Sequence, residues 1–403
     1  MPTLVQFGAG NIGRSFIAQL FSTAGYDVVF VDVMNELVDQ INARGCYRVV
    51  IRDEVESELL VKHVRAIHGE DVRGVVEALA EADIAATSVG SNALTYLYPT
   101  LAKGLRQRFL RYGTRPLDII LAENLRNAAG IVRDGLRKCL PDDFPLASMV
   151  GLVETSIGKM VPIMTEAQRR EDPLAVYAEA YNQLILDANA FKNPIPTVPG
   201  LAPKRNMAAY VDRKLFIHNL GHAAVAYFGF LADRKLSYIW QAVEIAAVSD
   251  AARAAMWESA RALISAYPRE FTELALSDHI DDLLHRFANR ALGDTIFRVG
   301  RDLPRKLSRE DRIIGAMLFD QAQRKPYDAT ARVAAAAMEF RGTDERGQLS
   351  SPDSLFQDES YPHGLDHVFT TLCGLRLDDP AEHRLANTIR AAHAEMVAGC
   401  PVV

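Results

Sequence analysis

Over roughly its first 150 residues the chain alternates short, almost continuously apolar runs with amphipathic stretches. The runs at residues 3–7, 26–33, 83–89, 117–122 and 146–153 predict buried strands. They lack the strict in–out alternation of a half-exposed sheet, which fits parallel strands covered on both faces. Residues 12–24, 71–81 and 124–139 carry the apolar spacing of helices laid against such a sheet. Strand and helix in alternation predict βαβ units, hence an α/β doubly wound parallel sheet.

At residues 191–205 the texture changes. FKNPIPTVPGLAPKR holds four prolines and no helical spacing, and it reads as a linker. Beyond it the pattern is helical, with helices expected at 238–266, 280–291, 310–323 and 329–341. The chain is therefore expected to form a sheet domain over 1–195 and a mostly α-helical domain over 196–403. The stretch from Gly342 onward, rich in Asp, Ser, Pro and His, has no pattern that places it.

Composition narrows the function classes. The 403 residues are 49% hydrophobic and 24% charged, an ordinary balance for a globular protein. With 45 basic against 51 acidic residues the net charge is −6, so nothing advertises nucleic acid or an anionic membrane as a partner. Cys46, Cys139, Cys373 and Cys400 are scattered without metal-ligand spacing, so neither a zinc site nor a disulfide framework is expected. The first strand begins at Thr3 without a charged leader and apolar block, and the densest apolar stretch, residues 223–232, is short for a membrane span. A cytoplasmic protein, monomeric or a small homo-oligomer, is the expectation.

Candidate chemistry begins in LVQFGAGNIGR, where Gly8, Gly10 and Gly13 fall in G-x-G-x-x-G register between a strand and a helix. The glycines allow a tight turn, close approach of a pyrophosphate, and close helix–sheet packing, while Asn11 and Ile12 open a helix whose free N–H groups face phosphate. Asp32 follows about 20 residues later at the end of the second strand, where a carboxylate binds ribose hydroxyls and repels a 2′-phosphate. No arginine follows in Val33, Met34 or Asn35. The pattern predicts a Rossmann-type domain that binds NAD rather than NADP. Ser88, Val89, Glu123 and Asn124, at the carboxyl ends of two further strands, suit the nicotinamide side of that cleft; plain turn chemistry, with Asn124 capping the next helix, explains them equally well.

The second focus is residues 211–228, VDRKLFIHNLGHAAVAYF. At about 100° per residue, His218, His222 and Asn219 fall about 40°, 80° and 140° from Lys214. Most of the remaining circumference is apolar, so the helix is expected to be buried with a polar stripe. Burial lowers a lysine pKa toward the range a general base needs. Oxidising an alcohol requires a base for the hydroxyl proton and a donor for the developing alkoxide, while a nicotinamide takes the hydride. Lys214 fits the base, Asn219 the alkoxide donor, and His222 a second donor or an orienting group, with no metal.

The spacing K-x4-N-x2-H in RKLFIHNLGHA resembles the signature of the polyol-specific long-chain dehydrogenases. Supporting stretches are FGAGNIGR at 7–14, the pair Glu123–Asn124, FKNPIPTVPG at 191–200 and RVGRDLPRKLSREDRIIG at 298–315. The resemblance implies metal-independent, NAD-dependent and reversible oxidation of a sugar alcohol, such as a hexitol phosphate, with Lys214, Asn219 and His222 catalytic. Where the family carries V-D-R-I-x-P, this chain has residues 157–162, IGKMVP, so that Lys159 replaces an arginine and loses its bidentate fork. Arg298, Arg301, Arg305 and Lys306, with Lys159, are the candidates for binding substrate, the clustered cations being suited to a phosphate. A solvated loop or an interface salt bridge is the plainer reading of that cluster. Free polyols and keto-hexuronates are alternative substrates for the same residues. A β-hydroxyacid dehydrogenase would need a different Lys–Asn spacing, and a non-catalytic NAD-binding protein would have no use for the polar stripe.

Overall fold

A computed structural model describes residues 1–53, 55–162, 164 and 166–399; Cys400 lies outside the described residues. Contacts divide the chain into two compact units, Met1–Val211 and Asp212–Val403.

The first unit is built on β1 (Thr3–Phe7), β2 (Asp27–Asp32), β3 (Cys46–Ile51), β4 (Ser57–Lys62), β5 (Val64–His68), β6 (Ile84–Thr87), β7 (Leu117–Leu121), β8 (Val150–Ser156), β9 (Val176–Ala178), β10 (Leu184–Asp187) and β11 (Leu201–Lys204). Eight of these form one sheet in the order β11-β10-β8-β7-β6-β1-β2-β5, and β4-β3-β9 form a smaller one. The large sheet is parallel except where β10 runs antiparallel to β8. Successive side chains of a strand enter opposite cores, as the two-residue period requires. Leu4, Val28, Phe30 and Ile120 pack with Phe16, Ile41 and Tyr47 on one face. Val5, Val29, Val31 and Ile119 pack with Leu79, Leu101 and Val132 on the other. Each fully buried side chain of this size contributes about 1.5–3 kcal/mol, so burial on both faces fixes the register.

The proline-rich stretch is not a free linker. Its residues Leu201–Lys204 form β11, paired with β10 in parallel register, Leu186 opposite Pro203. A proline is tolerated there because β11 is an edge strand with one side unpaired. The first unit therefore extends past the boundary expected at 195/196. The expected strand at 146–153 is likewise reapportioned, into a short helix Leu146–Met149 and then β8.

The second unit is helical. The helical stretch Met207–Ala232, within which the division falls, is long and apolar enough to cross a membrane by length and composition, yet most of it is buried among protein. Its part Leu220–Ala232 packs against Ile239–Val243, Ala246–Ala266, Ile296–Gly300 and Asp328–Met338. Close approach depends on small residues: a Cβ added to Gly221 would lie 2.4 Å from Met256 Sδ, and one added to Gly229 2.4 Å from Ala242 Cβ. The tail that had no legible pattern ends in the helix Pro380–Val397, which packs on Asp328–Met338. Buried Glu382 on this helix accepts hydrogen bonds from Arg309 Nη1 at 2.7 Å and from the backbone N–H of Arg376 at 2.8 Å.

Candidate functional site

In the first unit the chain leaves β1 through Gly8, whose φ of +90° is open to glycine, and a Cβ there would lie 2.6 Å from the carbonyl oxygen of Ser88. A Cβ on Gly13 would sit 2.1 Å from the carbonyl oxygen of Gly8, so the helix can approach the loop only with glycine here. Gly10 is different: a Cβ there would meet no protein atom within 4 Å. The space before it is what a phosphate approaching the backbone requires. Asn11 is exposed and Ile12 half-buried at the start of the helical turn. The loop is pinned from below by Arg14, which donates from Nε to the Ala9 carbonyl at 2.7 Å and from Nη1 to that of Leu174 at 2.6 Å. Asp32 closes the loop from the side, accepting the Ala9 N–H at 2.7 Å on one oxygen and the Met34 N–H at 3.0 Å on the other.

These residues border a cavity of about 530 Å³ lined by Gly8, Gly10, Asp32, Val33, Met34, Ser88, Val89, Tyr96 and neighbours. Val33 and Met34 are 73% and 60% exposed at its rim, an unusual cost for apolar side chains and one that a flat ring would offset. Ser88 is set by Gln6, whose Nε2 donates to its Oγ at 2.9 Å. Buried Glu123 accepts the N–H groups of Val89 and Gly90, both at 2.9 Å, and so shapes the 88–90 loop. Burial raises its pKa against these hydrogen bonds. Asn124 is exposed and does not cap the following helix, which begins at Ala128 behind Asn127 in the left-handed region. Lys159 is buried in the same unit, donating to Asn182 Oδ1 at 2.9 Å, with its ammonium 5.1 Å from the centre of the Phe16 ring.

In the second unit the expected α-helix is interrupted where the chemistry was expected. Residues Lys214–Asn219 wind as a π-helix between the α-helical segments Met207–Arg213 and Leu220–Ala232. Bonds from i to i+5 replace i to i+4 there, so residues five apart take the place that residues four apart hold in an α-helix. Lys214 and Asn219 are such a pair. The angle of about 140° drawn for regular α-helix thus does not separate them. Lys214 is partly buried; desolvation, reinforced by the Arg312 cation and opposed by Asp311, draws its pKa from 10.5 to about 8. Arg312 donates to Asp311 at 2.7 Å and reaches the Asn219 carbonyl at 3.5 Å.

His218 and His222 are held neutral. Burial, and then nearby cations, lower both pKa values well below 6.5. The His222 ring stacks on Phe287 with centroids 4.6 Å apart and planes 9° from parallel, and its Nε2 lies 3.3 Å from Asp294 Oδ2. Asp294 also holds Arg298 through its other oxygen.

The four cations expected to bind a phosphate have unequal surroundings. Lys306 is buried and donates to the carbonyls of Val299 and Arg301. Arg305 is exposed but paired with Asp302 and Asp311, at 2.5 and 2.9 Å. Arg298 is paired with Asp294, yet its Nε is buried without a hydrogen-bond partner. Arg301 is exposed, its guanidinium 5.7 Å from the Phe297 ring centre. Asp353 fixes their loop by accepting the N–H groups of Asp302 and Leu303, at 3.0 and 2.7 Å. Among the described residues no group of three or more His, Cys, Asp or Glu gathers as metal ligands.

Sequence reasoning missed Asp294, Asp311 and Arg312. Asp311 and Arg312 stand inside the stretch 298–315 that was singled out, but nothing in their spacing marks them as neighbours of Lys214. Asp294 lies outside every recognised pattern.

Residues 2–200 match the family model of the mannitol dehydrogenase Rossmann domain, and residues 206–361 that of the mannitol dehydrogenase C-terminal domain. A mannitol-1-phosphate 5-dehydrogenase of Brevibacillus brevis is 32% identical over 390 residues, covering 96% of each chain. Two solved structures share the fold at 16% identity. The mannitol 2-dehydrogenase of Pseudomonas fluorescens, in a ternary complex with NAD and D-mannitol, has a TM-score of 0.76 over 100% of this chain and 92% of its own. A D-sorbitol dehydrogenase in substrate-free form reaches 0.80 over 100% and 94%. With the two family models spanning most of its length in the expected order, this chain belongs to the mannitol dehydrogenase family.

Proposed function

We propose that this protein oxidises a hexitol phosphate of the mannitol 1-phosphate kind to the ketose, reversibly, with NAD as the hydride acceptor. The observation that carries this reading is Lys214, a partly buried amine with its pKa drawn to about 8, at the opposite end of a π-helical segment from Asn219. At neutral pH a lysine of ordinary pKa is deprotonated in fewer than about one molecule in 10³, against about one in ten at a pKa near 8. The relative named mannitol-1-phosphate 5-dehydrogenase supports the substrate class.

The first unit fits a dinucleotide. Gly10 opens onto space, the helix start offers N–H groups, and Asp32 retains lone pairs for ribose hydroxyls after binding two backbone amides. NAD when bound supplies the hydride acceptor. The chain's own residues do the rest. Neutral Lys214 takes the hydroxyl proton on its Nζ, and the Asn219 amide donates to the oxygen as negative charge develops. Arg298, through its unpartnered Nε, and exposed Arg301 are assigned to the phosphate.

A second reading, a neutral polyol as substrate, is favoured by one observation: Arg298, Arg305 and Lys306 already have partners inside the protein. Comparing kcat/KM for mannitol 1-phosphate, free mannitol and a keto-hexuronate separates the readings. Two or three charge-assisted bonds at about 1.5–3 kcal/mol each predict a preference on the order of 10²-fold or more for the phosphate ester. Equal activity on free mannitol replaces the first reading by the second. No NAD reduction with any polyol or polyol phosphate defeats both.

A further inference from the structure

His222 is a neutral ring, so its function depends on which nitrogen carries the hydrogen. That choice is settled by what each nitrogen faces. Nε2 is buried, has no hydrogen-bond partner of good geometry, and lies 3.3 Å from Asp294 Oδ2, which is equally buried and unpartnered. Two bare lone pairs held that close in a buried site repel, whereas an N–H on Nε2 turns the same contact into attraction. The contact is also built to last. The Asp294 carbonyl accepts the Ile239 N–H at 2.9 Å, and the next residue, Thr295, is bridged to Tyr238 and caps the helix Ile296–Gly300 by accepting the Arg298 N–H at 3.1 Å. Tyr227 Oη ties the carbonyl of Gly300 to the Leu220–Ala232 helix at 3.0 Å. On the far side Phe287 stacks against the imidazole and prevents it from tilting away.

We infer that Asp294 is a positioning residue that fixes His222 as the Nε2–H tautomer, so that Nδ1 is left as a hydrogen-bond acceptor for a substrate hydroxyl. This deepens the proposed polyol oxidation and rests on it for the word substrate; the tautomer itself does not. Of the two roles expected for His222, a second donor or an orienting group, this keeps the orienting one, with the ring as acceptor. A sugar alcohol presents several hydroxyls that are not oxidised. An acceptor held at fixed orientation selects one that points its hydrogen at the ring. Because the same carboxylate holds Arg298 through its other oxygen, one aspartate sets both side chains.

The test uses the direction of an amide. In Asp294→Asn the oxygen is claimed by the Arg298 cation, which can only donate, so the NH₂ is turned toward His222 Nε2. That nitrogen must then accept, and the hydrogen moves to Nδ1. Nitrogen NMR of the full-length protein labelled at histidine, with His222 assigned by its loss in His222→Gln, reads the tautomer without substrate. The expected result is Nε2–H in the wild type and Nδ1–H in Asp294→Asn. With mannitol 1-phosphate, the same variant is expected to lose on the order of 10- to 10²-fold in kcat/KM, as loss of an orienting partner does elsewhere, and to melt at a lower temperature, because asparagine removes the charge paired with Arg298. A wild type with Nδ1–H, or a variant whose tautomer is unchanged, overturns the inference. An inverted tautomer with unaltered kcat/KM overturns the part assigned to Nδ1. If the wild type oxidises no polyol while the tautomers behave as stated, the functional reading fails and the assignment of Asp294 stands.

Discussion

Replacing Lys214 by methionine separates catalysis from stability. Methionine keeps the length and unbranched shape of the side chain and removes its charge. In the folded protein burial lowers the lysine pKa from 10.5 to about 8, a difference of two to three pH units. At 1.36 kcal/mol per unit this corresponds to a cost on the order of 3 kcal/mol for holding the protonated amine. Partial exposure of the residue reduces this to about 1–3 kcal/mol. The sign follows from proton linkage. Below pH 8 both states are protonated and the folded one bears the full cost. Between pH 8 and 10.5 the unfolded chain still binds a proton that the folded chain has released, so stability climbs with pH. Above 10.5 the cost has gone. Lys214→Met is therefore expected to be more stable than the wild type at pH 7, with the two denaturant midpoints converging as pH approaches 10.5. Its kcat for alcohol oxidation is expected to fall by about 10²–10⁴, the contribution of a positioned base, while wild-type kcat/KM declines tenfold per unit as pH drops below about 8. A methionine variant less stable at pH 7, or one keeping kcat within about tenfold, would refute this account of Lys214.

Arg312→Gln removes a cation that lowers the Lys214 pKa and leaves Asp311, which raises it. The acid limb of the pH profile is expected to move to higher pH, and a shift to lower pH contradicts the assigned environment. Gly10→Ala is expected to leave the melting temperature unchanged while weakening NAD binding in calorimetric titration, since the added methyl group meets no protein atom within 4 Å. Gly13→Ala, whose Cβ would fall 2.1 Å from a backbone oxygen, is expected to lower the melting temperature as well; equal melting temperatures for the two variants would contradict the roles given to these glycines. Asp32→Ser combined with Val33→Arg is expected to shift the kcat/KM preference from NAD toward NADP, and a wild type already favouring NADP would show that strand two was misread.

Much of this protein was legible in the chain because the deciding interactions are local or periodic. Runs of apolar residues located β1, β2, β6 and β7 within a residue or two, since a strand buried on both faces must be apolar throughout. The glycine spacing located the loop after β1, because only glycine tolerates the positive φ at Gly8 and the contact at Gly13. The apolar circumference around Lys214 marked a buried helix with a polar stripe. Where pairing partners lie far apart the pattern failed. The β11 strand looked like linker because an edge strand tolerates proline and needs only one neighbour. The β4 strand, exposed along most of its length, offered only the three apolar residues Leu59, Leu60 and Val61 between polar neighbours.

Three features belonged to tertiary structure alone. The π-helical winding of residues 214–219 changes which side chains share a face, and no residue spacing announces an extra residue in a turn. The pKa of Lys214 depends on burial and on Arg312, which folding brings near it. Asp294 meets His222 only because the turn before the helix Ile296–Gly300 is pinned to residues 237–239 and packed on the Leu220–Ala232 helix. The amino-acid sequence by itself determined which groups are available and which backbone shapes are allowed, since both follow from side-chain chemistry and near-neighbour sterics. The distances among those groups, and with them the protonation state and hydrogen-bond direction of each, were decided by packing, because burial and Coulomb interactions depend on position in space rather than on separation along the chain.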